Sequence, residues 1–369
     1  MVDVSDVLIV GAGPAGLATA ISAASEGFSV QVVDALHPPL DKACGEGLMP
    51  DSVKALARLG VTLSEADSFP FHGIRFIGHQ HSAEAFFPQG AGRGIRRTHL
   101  SELLLTRAEE LGVRFHWNEA LRGLHQHEVT TTGGRYRAKW IIGADGHNSM
   151  LRKFARLDAL RISSRRIGLR QHFQVTPWSE MVEVYWGDRS QAYVTPVSKD
   201  EICVALISRG RPEQFGSELR QFPKLLEQLG CAASPDSVVG SATMEMKVKS
   251  VVRDHVALIG DASGAVDALT GEGLALCFRQ AEALAQALSA GDLSGYERAH
   301  AEICRLPHFM SGSLLLLDRS AFLRRRTLRA FALRPEIFAS MLRIHVGELM
   351  PPMWGHEGIL KLGAAVLLT

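Results

Sequence analysis

The first third of the chain alternates aliphatic runs with segments of helical spacing. Val4–Val10 ends in four consecutive aliphatic residues, Pro14–Glu26 repeats apolar positions at helical intervals, and Ser29–Asp34 is again mostly aliphatic. Together these segments predict a βαβ unit with two buried strands. The same reasoning predicts helices over Asp51–Leu59, Leu100–Leu111 and Gly273–Ala290, and strands over Val113–Trp117, Arg135–Asp145 and Val256–Gly260.

The pattern changes in the middle of the chain, where short β-prone runs are separated by turn residues. These runs predict an antiparallel sheet. Its predicted strands are Gly168–Val175, Met181–Tyr185, Ala192–Val197 and Glu201–Ile207. The last part, Arg305–Thr369, has mostly helical spacing, with predicted breaks at Pro335 and at the pair Pro351–Pro352. An α/β lobe is therefore expected to be interrupted by a β-rich lobe and then completed, with helices following it.

The first predicted turn carries a dinucleotide fingerprint, in which Gly11, Gly13 and Gly16 stand in GxGxxG spacing with Ala15 inside it. Gly11 permits the tight turn, Gly13 lets the backbone approach a pyrophosphate, and Gly16 lets helix and strand pack closely. Asp34 ends the second strand, where a carboxylate binds ribose hydroxyls and repels a 2′-phosphate. The fingerprint therefore predicts FAD or NAD, and a plain glycine turn in a βαβ unit is the alternative.

Two later strand ends add candidate cofactor contacts. Gly143–Gly146 places Asp145 after one strand, and Gly260–Ala262 places Asp261 after another. Strand ends of this kind gather at the carboxyl edge of a parallel sheet, where open α/β folds bind ligands. Asp261 is placed to accept a hydrogen bond from a ribityl hydroxyl. Backbone N–H groups of Gly271-Glu272-Gly273 can face the edge of a flavin ring, where negative charge develops on reduction.

With these motifs, residues 5–300 resemble the flavoproteins that include p-hydroxybenzoate hydroxylase, geranylgeranyl reductases and flavin-dependent halogenases. The stretch from Gly260 to Gly273 is most similar to geranylgeranyl reductases, and Cys44-Gly45-Glu46 resembles both the reductase and the halogenase loop. The resemblance implies FAD, with Arg97 contacting it and the Cys44–Gly45 loop passing close to its ring. A surface salt bridge is the alternative for Arg97, and a small buried thiol is the alternative to a redox-active Cys44.

Two positions depart from these families. Ala268 replaces the usual proline of the Gly-Asp segment. Only Pro196 remains of the aromatic motif that faces the prenyl chain in geranylgeranyl reductases, and the halogenase tryptophan motif is also missing. These departures argue against geranylgeranyl reduction and halogenation.

The expected fold class is α/β: a Rossmann-like FAD-binding domain with a mixed sheet and helices, an inserted antiparallel β-sheet substrate domain, and C-terminal helices. The FAD-binding domain is predicted to be discontinuous, over 1–70, 91–165 and 250–300. Residues 71–90 and 166–249 are assigned to the substrate domain, and 301–369 to the C-terminal helical segment. His172, Tyr185 and Tyr193 are the candidate catalytic residues, because they can orient a phenol or transfer a proton. Half-buried packing residues on the strands are the alternative for all three.

Composition removes several other classes of function. The formal net charge is +1 and aromatic residues are sparse, which argues against a nucleic-acid partner. The five cysteines are odd in number, far apart and free of CxxC spacing, which favours reduced thiols in a cytoplasmic protein and predicts no metal site. Neither a signal peptide nor an apolar run of membrane-spanning length is recognised. The basic run Arg324–Arg326 predicts either a peripheral membrane contact or a solvated helix face.

The leading expectation is hydroxylation of an aromatic or polyketide-like small molecule through a flavin C4a-hydroperoxide. The alternative is reduction of carbon–carbon double bonds in an isoprenoid or other apolar substrate, and a third class is a non-catalytic flavin-binding protein. NAD(P)H is the expected transient reductant. No second GxGxxG is present for its nucleotide, which is similar to the hydroxylase-like families.

Overall fold

The computed structural model of the chain describes residues 3–210 and 214–348. The predicted helical segment 301–369 therefore lies partly outside the described residues, and the predicted break at Pro351–Pro352 lies wholly outside them. In chain order the strands are β1 (Asp3–Val10), β2 (Val30–Asp34), β3 (Gly47–Leu48), β4 (Phe69–Phe71), β5 (Gly73–Ile77), β6 (Ser82–Phe86), β7 (Gly92–Gly94), β8 (Arg114–Trp117), β9 (Leu121–His125), β10 (Glu128–Thr131), β11 (Arg135–Gly143), β12 (Leu160–Gln174), β13 (Val182–Trp186), β14 (Ser190–Ser198), β15 (Glu201–Ser208), β16 (Val239–Val248), β17 (Val252–Arg253), β18 (Val256–Leu258) and β19 (Gly264–Ala265). The helices are α1 (Pro14–Ser25), α2 (Pro50–Arg58), α3 (Arg97–Glu110), α4 (Met150–Phe154), α5 (Phe215–Leu219), α6 (Pro223–Leu229), α7 (Gly273–Ala290), α8 (Leu293–Arg319), α9 (Ala321–Leu333) and α10 (Pro335–His345).

The first lobe is built on a mainly parallel sheet in the order β18-β11-β1-β2-β8. β17 and the β9–β10 hairpin join it antiparallel. Val7–Val10 is fully enclosed because α1 packs on the sheet together with α3 and α7. The predicted βαβ unit and mixed sheet are therefore confirmed, and α7 has the predicted bounds.

The second lobe is an eight-stranded sheet in the order β19-β16-β12-β15-β14-β13-β5-β6. Its pairs are antiparallel, as predicted, with one difference: β13 pairs with β5 in parallel. The two strands lie far apart in the chain, so the long connection that a parallel pair needs is available. The predicted strand Gly168–Val175 is the second half of a longer strand, β12, which also pairs with β16.

Side chains of this sheet alternate between two faces. On the outer face, Phe173 and Tyr185 pack against Phe215 and Phe222 of the α5–α6 region. The inner face looks toward the first lobe. Two rows of registered neighbours lie on it: Val184, Tyr193 and Ala205 form one, and Thr195, Cys203 and His172 form the other.

Helices α9 and α10 pack against β6, and α8 packs on both of them and contacts the sheet near Tyr193 and Ile207. Phe331 and Phe338 stack at a centroid distance of 4.9 Å and join the core formed with Phe71. The predicted break at Pro335 is confirmed, because Pro335 begins α10. Among the described residues, none of the helices combines the length and the apolar character that crossing a bilayer requires.

Candidate active site

A cavity of about 1130 Å³ lies between the two lobes. Its walls include the carboxyl ends of β1, β2 and β11, the inner face of the second sheet, and α8 to α10. The carboxyl edge of a parallel sheet is where open α/β folds bind nucleotides. The predicted cofactor contacts that line this cavity are Gly11, Gly13, Ala15, Asp34, Cys44, Gly45, Arg97, Asp145, Gly260, Asp261, Gly271, Glu272 and Gly273.

The glycines of the first turn have two different reasons to be glycine. Gly11 has φ +108°, and a Cβ there would lie 2.4 Å from the Ala144 carbonyl oxygen. A Cβ on Gly16 would lie 1.8 Å from the Gly11 carbonyl oxygen, so this position is required for packing. A Cβ on Gly13 meets nothing within 4 Å, although Gly13 lines the cavity. The free space at Gly13 is what backbone approach to a pyrophosphate requires.

The same free space occurs at three other glycines that line the cavity, Gly45, Gly146 and Gly273. Gly45 is held by Thr195, whose hydroxyl donates to the Gly45 carbonyl at 2.7 Å. Arg97 begins α3 and lines the cavity, and its Nε is buried with no hydrogen-bond partner among the described residues. Open glycines on separate walls and an unused guanidinium N–H are what FAD would need, so the site fits the cofactor.

The predicted carboxylates differ in what they hold. Asp34 accepts the Ala12 N–H at 2.6 Å and the Leu36 N–H at 2.8 Å, so it orders the turns on both sides of the cavity mouth. Asp145 accepts the N–H groups of Met150 and Leu151 and so supports the start of α4.

Asp261 takes part in a partly exposed ion pair. Its Oδ2 lies 3.1 Å from Lys42 Nζ, and both side chains are 42% exposed. Gly260 has φ +59°, and a Cβ there would lie 2.6 Å from the Ala15 Cβ, so the Gly-Asp segment packs directly on the fingerprint helix. Asp261 is therefore free to exchange its exposed ion pair for a cofactor hydroxyl.

Glu272 forms a buried pair with His345, a residue that the sequence reasoning missed. Glu272 Oε2 and His345 Nδ1 are 3.7 Å apart, and within the described ranges neither atom has a hydrogen-bond partner. Burial raises the pKa of Glu272 to about 8 and lowers the pKa of His345. At neutral pH the pair is therefore a protonated carboxyl beside a neutral imidazole. His345 lies on the last described helix, where the sequence shows helical periodicity but no motif that marks a functional residue.

The three candidate catalytic residues are not brought together. Tyr193 lines the cavity, and its hydroxyl donates to the Leu269 carbonyl at 2.9 Å. His172 lies on the same face but is covered, with contacts to Glu46 and Asp236. Tyr185 is corrected: it lies on the outer face and donates to Glu183 at 2.8 Å, because it follows the inward-facing Val184 and strand side chains alternate.

Beyond the predicted cofactor contacts, the cavity continues as an apolar pocket. Strand β4, the second sheet and the C-terminal helices line it with aliphatic, aromatic and methionine side chains. They are Phe71, Ile74, Phe76, Val182, Val184, Met310, Leu314, Leu317, Phe331, Phe338, Met341 and Leu342. An apolar wall of this extent can hold a hydrophobic molecule, because it removes the surface of that molecule from water.

Comparison with known proteins adds the family. Residues 4–295 match the model of the FAD binding domain. The chain is 28% identical to menaquinone reductase of Mycobacterium tuberculosis, over 79% of this chain and 78% of that protein. It is 26% identical to digeranylgeranylglycerophospholipid reductase 2 of Methanopyrus kandleri (78% and 79%), and 27% identical to 2-heptyl-3-hydroxy-4(1H)-quinolone synthase of Pseudomonas aeruginosa (76% and 80%). A flavoprotein/dehydrogenase structure from Cytophaga hutchinsonii has the same fold, with a TM-score of 0.84, 18% identity and 99% of both chains covered.

Proposed function

Because this chain belongs to the FAD-binding domain family and is an FAD-dependent oxidoreductase, we propose that it reduces carbon–carbon double bonds of an isoprenoid or similarly apolar substrate. The observation that carries the proposal is the apolar pocket, which continues from the flavin site between the second sheet and α8 to α10. The names of two relatives support it, since menaquinone and digeranylgeranylglycerophospholipid are both isoprenoid lipids. Bound FAD, once reduced by an external donor, would supply the hydride.

The chain's own residues would bind and orient the substrate and exclude water. Val184 and Ala205 would contact an apolar chain from the sheet, and Leu314 and Met341 from the helices. Tyr193 stands where this pocket meets the Ala268–Thr270 turn, with its hydroxyl bonded to Leu269. Burial raises the pKa of Tyr193 well above its ordinary value, so it stays protonated and acts as a positioning residue.

The test is an anaerobic assay of the reduced FAD-loaded protein with menaquinone and with a geranylgeranyl lipid, followed by mass spectrometry. We expect products that have gained a pair of hydrogen atoms and keep them after exposure to air, which returns any quinol to the quinone but leaves a saturated carbon–carbon bond unchanged. Leu314→Trp should abolish this product while FAD stays bound, because Leu314 lines the pocket. Leu316→Trp is the matched control on the same helix, since Leu316 is 60% exposed. Absence of saturated product with both substrates would refute the proposal.

Hydroxylation is the second candidate, because the quinolone synthase relative is a protein whose named product carries a hydroxyl group. Tyr193 would then orient an aromatic ring in the apolar pocket. This function predicts no turnover without oxygen and an oxygenated product in air, so the same assay run with and without oxygen separates the two candidates.

We also propose NAD(P)H as the reductant. A second cavity of about 380 Å³ lies beside the Gly-Asp segment. Its lining includes the cations Lys247, Lys249 and Arg305 and the carboxylates Asp261 and Glu297. The cations outnumber the carboxylates, which suits nucleotide phosphates. Rapid mixing of the oxidised protein with NADH or NADPH tests this, and bleaching of the flavin absorbance is the expected result.

A peripheral membrane contact is a further part of the proposal. Arg324 of the predicted basic run points inward: it is buried and donates to the Asp318 carbonyl and to Asp188. The outer face of α9 instead carries a membrane stripe of two exposed apolar and two exposed basic residues. Its members are Phe322, Arg325, Arg329 and Leu333. Apolar side chains flanked by arginines are suited to a surface of anionic lipid.

A further inference from the structure

A row of three ionisable side chains connects the surface of the second lobe with the cofactor cavity. Asp236 Oδ2 lies 2.5 Å from His172 Nδ1, and His172 Nε2 lies 2.7 Å from Glu46 Oε2. The Asp236 side chain is 27% exposed, whereas those of His172 and Glu46 are 1% exposed. Glu46 also lines the cavity. One end of the row therefore meets solvent, and the other end meets the space beside the cofactor.

The fold holds Glu46 in one orientation. Glu46 has φ +56°, in the left-handed region that non-glycine residues seldom adopt, and such strain concentrates at functional sites. Its carbonyl accepts the Ile95 N–H at 2.9 Å, and its Oε1 accepts the Arg97 N–H at 3.0 Å. Oε2 is left for His172. The backbone of Glu46 and one of its carboxylate oxygens are thus fixed, and the second oxygen, Oε2, is positioned to exchange a proton with His172.

Several other charged or ionisable groups face this row, but it is the two carboxylates of the row itself that favour the protonated form of His172. Burial by itself lowers the pKa of His172, but hydrogen bonds to Glu46 and Asp236 outweigh it and raise the pKa above its ordinary value. Arg170 lies 2.8 Å from His172 Nδ1, and Arg96 lies 3.6 Å from Asp236. The remaining groups around the row are Asp41, which pairs with Arg170; Glu201, which pairs with Arg96; and the thiols of Cys44 and Cys203.

We propose that Asp236, His172 and Glu46 form a proton path between solvent and the cofactor cavity. Two-electron reduction of FAD to its neutral, fully reduced form takes up two protons; a hydride donor such as NAD(P)H brings one of them within the hydride, and the second must come from solvent. The electrons come from the external reductant. The proton on His172 Nε2 moves to Glu46 Oε2 and from there into the cavity, and the neutral imidazole that is left regains a proton from solvent by way of Asp236. Oxidation of the cofactor sends a proton along the same path in reverse.

A metal ion is the competing explanation for part of this cluster, because ligand atoms of Glu46, His172 and Cys203 lie within 4.8 Å of one another. The Arg170 guanidinium, placed 2.8 Å from His172 and 3.1 Å from Asp236, supplies the positive charge that a cation would bring. A divalent ion beside it would be repelled. We therefore assign proton transfer to this cluster.

The test measures proton movement directly and needs no substrate. FAD-loaded protein, reduced in advance under anaerobic conditions, is mixed rapidly with ferricyanide in weakly buffered solution that contains a pH indicator. Flavin absorbance reports oxidation, and the indicator reports proton release. In the unaltered protein the two signals should rise together. In His172→Gln, which keeps hydrogen-bonding capacity but does not carry the proton, release should lag oxidation by roughly tenfold or more.

Asp236→Asn interrupts the row at its partly exposed end, without opening the core, and should give the same lag. Glu201→Gln is the matched control: Glu201 pairs with Arg96 in the same cluster but lies outside the row, so its proton release should stay synchronous. Synchronous signals in both path variants, with FAD bound, would overturn the proposal. A lag in His172→Gln alone would show that Asp236 is not part of the path. An equal lag in Glu201→Gln would show a general disturbance of the cluster and would overturn the proposal. None of these outcomes depends on which reaction the enzyme catalyses.

Discussion

Replacing Glu272 by Gln should make the stability of the flavin-free protein less dependent on pH above neutrality. Glu272 is 4% exposed at the start of α7, and its Oε2 is buried without a hydrogen-bond partner among the described residues. Burial raises its pKa from 4.5 to about 8. The nearby Arg279 lowers this pKa and Asp51 raises it, but both act less strongly than burial.

The direction of this change in stability with pH follows from which state, folded or unfolded, binds the Glu272 proton more tightly. A pKa that rises on folding means that the folded state binds the proton more tightly than the unfolded state. Stability is therefore fully present below the unfolded pKa and is lost as pH rises through the folded one. His345, with its lowered pKa, acts in the opposite sense below its ordinary value of 6.5. Within this pair, the pH window from 6.5 to 9 therefore reports on Glu272 alone, and His172, whose pKa is also raised, contributes equally to the unaltered protein and to the variant. Between pH 6.5 and about 8, an interval of 1.5 pH units, the deprotonation of Glu272 should lower the free energy of unfolding by roughly 2 kcal/mol.

The assay is denaturant unfolding of the flavin-free protein across this window, since bound cofactor would itself add stability. The unaltered protein should lose roughly 2 kcal/mol more than Glu272→Gln between the two pH limits. Glu282→Gln is the control on the same helix, because Glu282 is 45% exposed and pairs with Arg58 at the surface. The control should follow the unaltered protein. Equal pH dependence in all three proteins would refute the protonated state of Glu272.

Three further predictions concern other parts of the molecule. Gly13→Val should fold but lose FAD, because its side chain enters the open space of the cavity. Gly16→Val should instead cost at least about 2 kcal/mol of stability, because its Cβ would collide with the backbone. Flavin content and thermal unfolding distinguish the two variants. Arg166→Met should destabilise the protein by roughly 3–5 kcal/mol, measured by denaturant unfolding, since it leaves the fully buried Asp267 without its cation and Asp318 with Arg209 only. Replacing Phe322 and Leu333 together by Ser should weaken flotation with vesicles of anionic lipid while enzyme activity in detergent is kept; unchanged flotation would remove the membrane stripe from the function.

The candidate site was only partly predictable from sequence. Glu46 belongs to the Cys44-Gly45-Glu46 loop, but the sequence assigned it no role. Asp236 lies in a segment with no motif that indicates a functional residue. They meet His172 because β12 crosses the second sheet at a point that faces the loop before β3. Contacts separated by 64 and 126 positions in the chain leave no periodic trace in sequence.

The sequence by itself determined the cofactor lobe, because its constraints are local. Its main features are a buried parallel strand, a glycine packed against a backbone carbonyl and a helix that begins at the glycine turn. Each depends on a few neighbouring residues, so their spacing in the sequence predicts them. Only the tertiary structure decided which face of the second sheet meets the cofactor. A shift of one residue in a strand reverses its two faces, which is why Tyr193 lines the cavity and Tyr185 does not. The apolar pocket and the pairing of Glu272 with His345 were likewise decided by how α8 to α10 pack over that sheet, since such packing depends on side chains distant in the chain.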